Sequence, residues 1–472
     1  MDFLSSLRRK WPFLFHQERA ETPLLPGVLF LLSLLFLFSV STTYGQRLTV
    51  TPFLSLSERY DTNIFRTATD EEEDFVTVVS PGIRITYLTT VPTRATELNF
   101  NYRADFELFS QNSEQNQISQ RGLLNFSSQL TPSLSLTLRD SLVITEEETL
   151  RVETTEDPTG LRPVSQQRRR RTFENRARIA PELRLGGRTF LGVLFESLLD
   201  DVDVPEEVDE TRYSVGANLG YLIHVARGTR VNLGYVLTFH QFSENAPVAP
   251  GEERADFRVH TITAGVRHDF TPTLSGTASL GYAFTESDDP EEDNNASVVA
   301  NVALTKTLKT GELSLRYIRS FTSGGGEGRS VAADRLLATF SSRITPKITA
   351  ALRGNVSYFN FQQRVTPTSG GDRYFLSLRP SLTYEMLRFW QLSAAYTYEL
   401  TEFAEDDPNL ADREDQWFSF ISRFTVREWL FLRLEYRYAT RQIKKGEVFR
   451  GAQSFDDNQV MLTITTAPSF RF

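Results

Sequence analysis

The sequence is poor in several residue types that mark other classes of protein. It has no cysteine, so a disulfide framework and thiolate metal sites are excluded. It has only five histidines and four tryptophans in 472 residues, and just six of its 51 basic residues are lysine. No interior stretch is apolar enough and long enough for a spanning helix. A chain without thiols is suited to passage through an oxidising compartment.

The first segment has the pattern of an export signal. A basic cluster at 8–10 precedes the 13-residue apolar run 28–40, and small residues follow that run. The run is short for a transmembrane helix, which needs about 20 residues. We therefore predict a signal peptide over residues 1–45, which leaves one domain over 46–472. The alternative is an N-terminal anchor that is retained.

In segment after segment, the rest of the chain shows apolar and polar residues in alternation. In LNFNYRADFELF (98–109), Leu98, Phe100 and Tyr102 alternate with Asn99 and Asn101, and the pattern continues along the segment. A period of two indicates a strand with two unlike faces. The same pattern recurs to the end of the sequence. It predicts an all-β chain.

The connections between these strands alternate between two kinds. Short turn signals recur about every 40 residues, one for each hairpin. Between them lie longer Gly-rich or acidic runs, such as DEEED (70–74), DDVDVPEEVDE (200–210) and AEDDPNLADRED (404–415). We interpret the acidic runs as solvated loops. Short turns on one rim and long loops on the other predict an up-and-down meander of about 20 strands, with 18–22 as the range.

A barrel in a membrane explains this pattern better than a soluble array. A propeller also repeats at about 40 residues, but its blades carry four short strands and Trp-Asp signatures, which are missing here. Closure in lipid satisfies every backbone group and gives the aromatic face an apolar neighbour. We therefore predict a transmembrane antiparallel up-and-down β-barrel in the outer membrane of a Gram-negative bacterium.

Proline falls inside several predicted strands. Because proline removes a ladder donor, it belongs at a bulge or at a strand end. We expect bulges near the short-turn rim at these positions, which are Pro52, Pro81, Pro181, Pro380 and Pro468.

The polar face of the strands is rich in arginine. Because side chains alternate between the two faces of each strand, we expect these side chains to point into a water-filled lumen. Rows of arginine along a pore favour the passage of anions. The alternative is a network of arginine–carboxylate pairs that stiffens the wall and fills the lumen. The side chains that we predict to line the lumen are Arg84, Arg103, Asp105, Arg121, Arg139, Arg176, Arg178, Arg316, Arg353, Arg379, Arg423, Arg433, Glu435 and Arg437.

Two further features suggest contacts outside the lumen. The run Arg168, Arg169, Arg170 and Arg171 is a candidate for binding lipopolysaccharide phosphates at the outer rim, since arginine binds phosphate bidentately. The chain ends on Phe472, in register with the apolar residues of its last strand. A terminal aromatic of this kind resembles the signal read by the bacterial β-barrel assembly machinery.

The opening of the predicted domain resembles a known family. Tyr60, Asp61, Asn63, Ile64 and Phe65, followed by Pro81 and Gly82, are similar to the first two strands of a family of outer-membrane β-barrel porins. The resemblance implies an association with exopolysaccharide or capsule production. From the residues alone, Asp61 and Asn63 could instead cap the first extracellular turn.

These observations lead to two hypotheses of different kinds. The first is a channel for passage or export of a polar, anionic saccharide in exopolysaccharide secretion. The second is a non-conducting anchor or interaction scaffold. Catalysis has little support, because the four histidines after the signal, His224, His240, His260 and His268, lack a recognisable partner pattern. We expect no enzyme activity, no cofactor or metal and no nucleic-acid partner. The expected partners are outer-membrane lipid, lipopolysaccharide, the assembly machinery, polysaccharide and periplasmic export proteins.

Overall fold

The barrel was analysed in a computed structural model of the chain. The structure describes residues 46–69, 71–89, 95–145, 172–202, 208–223, 228–244, 256–288, 294–322, 330–361, 372–404, 412–445 and 454–471. The signal-peptide segment 1–45, the arginine run at 168–171, His224 and Phe472 lie outside these residues.

The described residues form long strands that follow the alternating segments of the sequence. The strands are β1 (Gln46–Asp61), β2 (Asp74–Thr89), β3 (Thr96–Phe109), β4 (Gln117–Thr131), β5 (Leu134–Thr145), β6 (Thr172–Arg184), β7 (Thr189–Val202), β8 (Val208–Ile223), β9 (Thr229–Glu244), β10 (Phe257–Thr271), β11 (Leu274–Ser287), β12 (Ala296–Thr307), β13 (Gly311–Thr322), β14 (Val331–Thr345), β15 (Ile348–Phe361), β16 (Arg373–Leu387), β17 (Trp390–Phe403), β18 (Asp412–Arg427), β19 (Leu430–Lys445), β20 (Phe455–Thr466) and a short continuation, β21 (Phe470–Arg471). One 3₁₀ turn, Ser113–Gln115, precedes β4.

Each strand pairs with its neighbours in the chain, and the last strand pairs with the first. Along β1, Leu54 lies opposite Thr466 and Asp61 lies opposite Gln459. Two residues of β21 continue the same edge beside Thr49 and Val50. The sheet is therefore a closed antiparallel barrel of 20 strands, with β21 as an extension of β20. This confirms the predicted fold. In the described part of the chain, no helix has the length and apolarity needed to cross a membrane.

The two faces of the sheet differ as the alternation predicted. On the outer face of β3, Phe100 lies opposite Leu124. On its inner face, Arg103 lies opposite Arg121. Large apolar side chains such as Leu56 and Ile464 are about half exposed on the outer face, because no protein covers them. An apolar surface of this extent is costly in water and favourable in hydrocarbon. The outer face is therefore the lipid-facing one.

A threonine hydroxyl accepts backbone N–H groups in several of the short turns. In three of them, Thr131, Thr271 and Thr345 each come directly after a register shift in the ladder and are followed by proline. The Oγ1 of Thr131 accepts the backbone N–H of Leu134 at 3.0 Å, and Thr345 accepts that of Ile348 at 3.1 Å. These bonds satisfy backbone donors that the turn leaves free. Bulges therefore lie at the turns.

The prediction of bulges at the strand prolines is wrong for three of them. The register is unbroken across Pro81, Pro181 and Pro380. Each strand tolerates the missing N–H because only the ladder beside that one residue is interrupted, as between Leu378 and Ser381 on the β17 side. Pro468, in contrast, lies in the break between β20 and β21.

Small apolar clusters stiffen the end of the barrel that carries the long loops, here called the long-loop rim. One cluster joins Phe257, Val259 and Ala283 to neighbouring strands. The second contains Phe359 and Phe361. Both are buried although a barrel has no single core, because side chains at this rim pack on one another instead of facing solvent or lipid.

Candidate lumen site

A polar cavity lies inside the barrel, against the inner face of its wall. It has a volume of about 760 Å³ and is lined by an arc of strands that runs from β16 through β20 and β1 to β4. Arg388 and Phe389, in the turn between β16 and β17, line one end. Arg59, Glu107 and Ser119, each two residues from the long-loop end of its strand, line the other. The cavity therefore spans most of the height of the wall.

The lining of the cavity is basic. Its arginines are Arg59, Arg103, Arg121, Arg388, Arg423 and Arg433, and its carboxylates are Asp105, Glu107 and Glu385. Two of the three carboxylates are already paired: Arg103 binds Asp105 at 2.7 Å and Arg59 binds Glu107 at 3.1 Å. Six guanidinium groups against three carboxylates leave three excess positive charges in the lining, and Glu435, 2.6 Å from Arg433, offsets one of them. The remaining excess of two positive charges favours anions in the cavity.

The arginines of the inner face stand opposite one another across neighbouring strands. Direct partners in the ladder are Arg103 and Arg121, Arg139 and Arg178, Arg230 and Arg267, Arg353 and Arg379, and Arg423 and Arg433. Side chains in such positions have Cβ atoms roughly 5 Å apart, and like charges there destabilise a sheet. Packing therefore does not explain why five such pairs occur.

The two pairs in the cavity share a further arrangement. In each pair one arginine has a carboxylate beside it: Arg103 has Asp105, and Arg433 binds Glu435 at 2.6 Å. Within the described part of the chain, Arg121 and Arg423 have no ion-pair partner. Both of these side chains are exposed to the lumen. Each pair thus presents one compensated and one uncompensated guanidinium.

The structure brings together only part of the predicted lumen set. Arg103, Asp105, Arg121, Arg423 and Arg433 line the cavity. The others lie on the inner face but are not part of the lining of the cavity, although Glu435 contacts Arg433 of the lining at 2.6 Å. Their ladder pairings are Arg84 opposite Asn101, Arg139 opposite Arg178, Arg176 opposite Ser141, Arg316 opposite Ala303, Arg353 opposite Arg379, Glu435 opposite Met461 and Arg437 opposite Gln459. A role of any of them in passage stays a prediction.

Sequence reasoning missed a row of hydroxyls at the seam where the barrel closes. Ser55 bonds Thr465 at 2.8 Å, and Ser57 bonds Thr463 at 2.9 Å. All four side chains line the cavity between the two arginine pairs. Serine at alternate positions of the first strand and threonine at alternate positions of the last strand were the signals in the sequence.

Near the long-loop rim, charges on the same inner face are buried in closed ion pairs. Asp415 is 2% exposed and holds Arg441 at 2.7 Å and Arg413 at 2.6 Å. Arg441 also lies over the ring of Phe455, with its guanidinium carbon 5.1 Å from the ring centroid. On another side of the barrel, Glu210 holds Arg212 at 3.3 Å and the buried His240 at 2.7 Å. The charges of these groups are therefore neutralised by ion pairs within the wall.

The interpretation of the acidic runs as solvated loops is wrong at their last residues. Asp74, Glu210 and Asp415 end the three runs, yet each lies in a strand and is buried. A carboxylate that points inwards at the start of a strand can be buried because arginines or backbone N–H groups bind it there. The run of charge therefore marks the loop, and its final member belongs to the barrel.

Asp74 is the clearest example and lies at the rim itself, as the first residue of β2. It accepts backbone N–H groups from Ser110, Gln111 and Asn112 and the Ser110 hydroxyl, at 2.5–3.1 Å. Burial raises the pKa of Asp74, but these bonds outweigh burial and hold its pKa at about 2, below the ordinary value of 3.8. Its carboxylate thereby fixes the loop after β3.

The segment that carries the family resemblance also ties parts of the rim together. Asn63 is fully buried; its amide donates to the carbonyls of Thr67 and Asp456, and its Oδ1 accepts the N–H of Thr67. Asp61 accepts the N–H of Asn63 at 3.1 Å and the amide of Gln459 at 2.9 Å. The alternative that these residues cap the first long-loop turn is confirmed, and they also tie that turn to the last strand.

The histidines do not form a catalytic group in the described residues. Besides His240 on Glu210, His260 bonds Tyr235 at 2.9 Å and His268 bonds Thr229 at 2.8 Å. His260 and His268 lie eight residues apart on β10, and His240 lies on β9 with its partner on β8. No cluster of metal-ligating side chains occurs in the described part of the chain. The expectation that the protein is not an enzyme stays a prediction.

The fold and the two unlike faces define the class of protein. Closed barrels with an apolar outer face and a polar lumen are the form in which strands cross the bacterial outer membrane. The chain is an outer-membrane β-barrel.

Known proteins add little beyond this shape. No family model matches the chain, and no curated protein matches it. Among solved structures, it is similar to the siderophore receptor PirA from Pseudomonas aeruginosa, at 10% identity and a TM-score of 0.47, over 90% of this chain and 81% of that one. It is also similar to the ferric citrate transporter FecA, at 10% identity and a TM-score of 0.49, over 91% of this chain and 80% of that one. A third similar structure is OccAB1 from Acinetobacter baumannii, at 9% identity and a TM-score of 0.38, over 89% of this chain and 96% of that one. Likenesses of this size say nothing about the cargo of this chain.

Proposed function

We propose that the barrel is a passive channel for polar anionic solutes. The observation that carries this proposal is the basic cavity, which reaches from the short turns to within two residues of the long-loop ends of β1, β3 and β4. Its excess positive charge would concentrate anions and repel cations, because a narrow aqueous space with low-dielectric walls focuses the field.

The arrangement of like charges supports a role in transport over a role in stability. Arginine opposite arginine weakens the sheet, and a wall built only for strength would alternate the signs of its charges. The facing pairs Arg103–Arg121 and Arg423–Arg433 lower the stability of the sheet but place positive charge in the lumen, which suggests a role in transport.

We further propose that the cargo is an acidic saccharide moved in exopolysaccharide secretion. Two features support this. The hydroxyl row of Ser55, Ser57, Thr463 and Thr465 offers neutral hydrogen-bonding groups beside the arginines, as a sugar with both hydroxyls and an acidic group would require. The segment from Tyr60 to Phe65 resembles a porin family associated with exopolysaccharide production.

The test is single-channel recording of the refolded protein in planar bilayers under a salt gradient. We expect steady conductance with a reversal potential on the anion side, and interruptions of the current when an acidic oligosaccharide is added. A cation-selective current would contradict the channel proposal. Equal interruption by a neutral oligosaccharide of the same length would contradict the acidic cargo.

A non-conducting scaffold is the second candidate, and the buried ion pairs near the long-loop rim favour it. Asp415 with its two arginines and Glu210 with Arg212 and His240 fill space that a wide pore would leave open. This candidate predicts a folded barrel without conductance that co-purifies with a periplasmic export protein. Conductance of the parent protein would refute it.

Two contacts with the cell envelope remain proposals. Arg168, Arg169, Arg170 and Arg171 would bind lipopolysaccharide phosphates, and Phe472 would be read by the assembly machinery. Replacing the four arginines with glutamine should weaken binding of purified lipopolysaccharide, and deleting Phe472 should lower the amount of folded barrel in cells. Unchanged binding or unchanged folded yield would refute the respective proposal.

A further inference from the structure

The two arginine pairs of the cavity are placed to act together. Arg103 and Arg121 lie on β3 and β4, and Arg423 and Arg433 lie on β18 and β19. The two strand pairs are separated in the barrel by β1, β2 and β20, yet all four side chains line one cavity. The cavity is therefore bounded by arginine at two separate places.

Each place has the chemistry of a site for an oxyanion. A guanidinium offers a planar fork of N–H donors that matches carboxylate and sulfate oxygens, and two forks on adjacent strands can hold one such group between them. Asp105 and Glu435 compensate one arginine in each pair. The uncompensated Arg121 and Arg423 provide the net charge that would attract the ligand.

The wall between the two places is suited to the body of a sugar and not to a second charge. Ser55, Ser57, Thr463 and Thr465 supply hydroxyls there. Phe389 and Phe431 add aromatic surface at the short-turn end of the same cavity, and apolar or aromatic surface with a few polar groups is typical of ligand sites. Oxyanion sites at both ends of a neutral hydroxyl row fit a chain of sugars with repeated acidic groups.

We propose that the cavity is a binding site for an oligosaccharide with carboxylate or sulfate groups, held at one acidic group by Arg103 and Arg121 and at another by Arg423 and Arg433. This inference deepens the proposed function and rests on it. It adds that the passage binds its cargo at two defined places and does not merely repel cations.

The first experiment measures binding in detergent solution, without any current. Calorimetry of the refolded barrel would use a uronic-acid trimer, a sulfated trimer, a neutral trimer and inorganic sulfate as probes. We expect one of the acidic trimers to bind more tightly than the neutral trimer and more tightly than sulfate alone. Equal affinity for the neutral trimer would overturn the oxyanion part of the proposal. Equal affinity for inorganic sulfate would overturn the oligosaccharide part.

Variants then test the two places. Arg121→Gln and Arg423→Gln should each weaken binding of the acidic trimer, and the double variant should weaken it by at least about tenfold, since each removes a charge-assisted contact. Arg267→Gln is the matched control, because Arg267 faces Arg230 across β9–β10 and does not line the cavity. Unchanged affinity in a folded double variant, or an equal loss in the control, would overturn the two-place site.

Binding and conductance can fail separately. A barrel that binds the acidic trimer but passes no current would refute the channel and leave the site supported. A barrel that passes anions but binds the acidic and neutral trimers equally would refute the site and leave the channel supported.

Discussion

Arginine has opposite roles in two regions of the inner face. Near the long-loop rim, Arg441 is 4% exposed and is paired with Asp415, which also holds Arg413. In the cavity, Arg121 and Arg423 are exposed and lie opposite other arginines. The same residue type therefore stabilises the wall where carboxylates meet it and provides free charge where arginine meets arginine. Mutations should therefore separate stability from selectivity.

The largest effect is expected in the buried region. Asp415→Ala should lower the free energy of unfolding by about 3–5 kcal/mol, because it removes the buried carboxylate that pairs with both Arg413 and Arg441. Urea unfolding of the barrel in lipid vesicles measures this. The matched control is Glu385→Ala, an exposed carboxylate of the cavity, which should change the free energy of unfolding by less than about 0.5 kcal/mol. Equal losses in the two variants would contradict the distinction between the regions.

A smaller loss is expected where the first long loop is tied to the last strand. Asn63→Ala removes three hydrogen bonds of a fully buried side chain, so we expect a loss of about 1–3 kcal/mol. Hydrogen exchange should also become faster at the start of β20. Asn125→Ala is a suitable control, because Asn125 lies half-buried on the inner face of β4 and should change the free energy of unfolding little. Unchanged exchange in Asn63→Ala would show that the loop is held in another way.

The rim should also respond to acid through Asp74. Its pKa of about 2 lies below the ordinary value of 3.8, so the folded state favours the ionised carboxylate. The stabilisation is present in full above the unfolded pKa and is lost as the pH falls from about 4 towards 2. Unfolding midpoints measured across this range should fall more steeply for the parent than for Asp74→Asn. Parallel profiles would contradict the assignment.

The smallest effect on stability is expected in the cavity. Arg121→Gln and Arg423→Gln should change the free energy of unfolding by less than about 0.5 kcal/mol, and relief of repulsion between facing arginines can even raise it. The same two variants should lower the anion preference of the conductance. If they unfold as easily as Asp415→Ala, then the cavity arginines are structural.

Much of the fold follows from the sequence, because a period of two fixes which face of each strand is apolar. The alternation in LNFNYRADFELF predicts β3 and the contrast between Phe100 and Arg103. The prolines misled because a missing donor weakens one rung without shifting the register at Pro81 or Pro380. Local sequence shows the missing N–H, but only the neighbouring strands show that the ladder continues.

The candidate site could be predicted only in part. Parity along each strand points Arg121 and Arg423 inwards, but it does not show that one cavity contains both. That depends on closure, which joins β1 to β20 and brings the first strands near the last ones. The buried Asp415 was hidden for a related reason, since a run of acids is typical of a loop and only the start of β18 shows where the loop ends.

The most direct test of the account is the reversal potential of the parent barrel and of the Arg121→Glu, Arg423→Glu double variant under the same salt gradient. We expect an anion-selective parent and a clear shift towards cations in the variant, because two uncompensated positive charges of the cavity become negative. The same reversal potential for both proteins, with both folded and conducting, would contradict it.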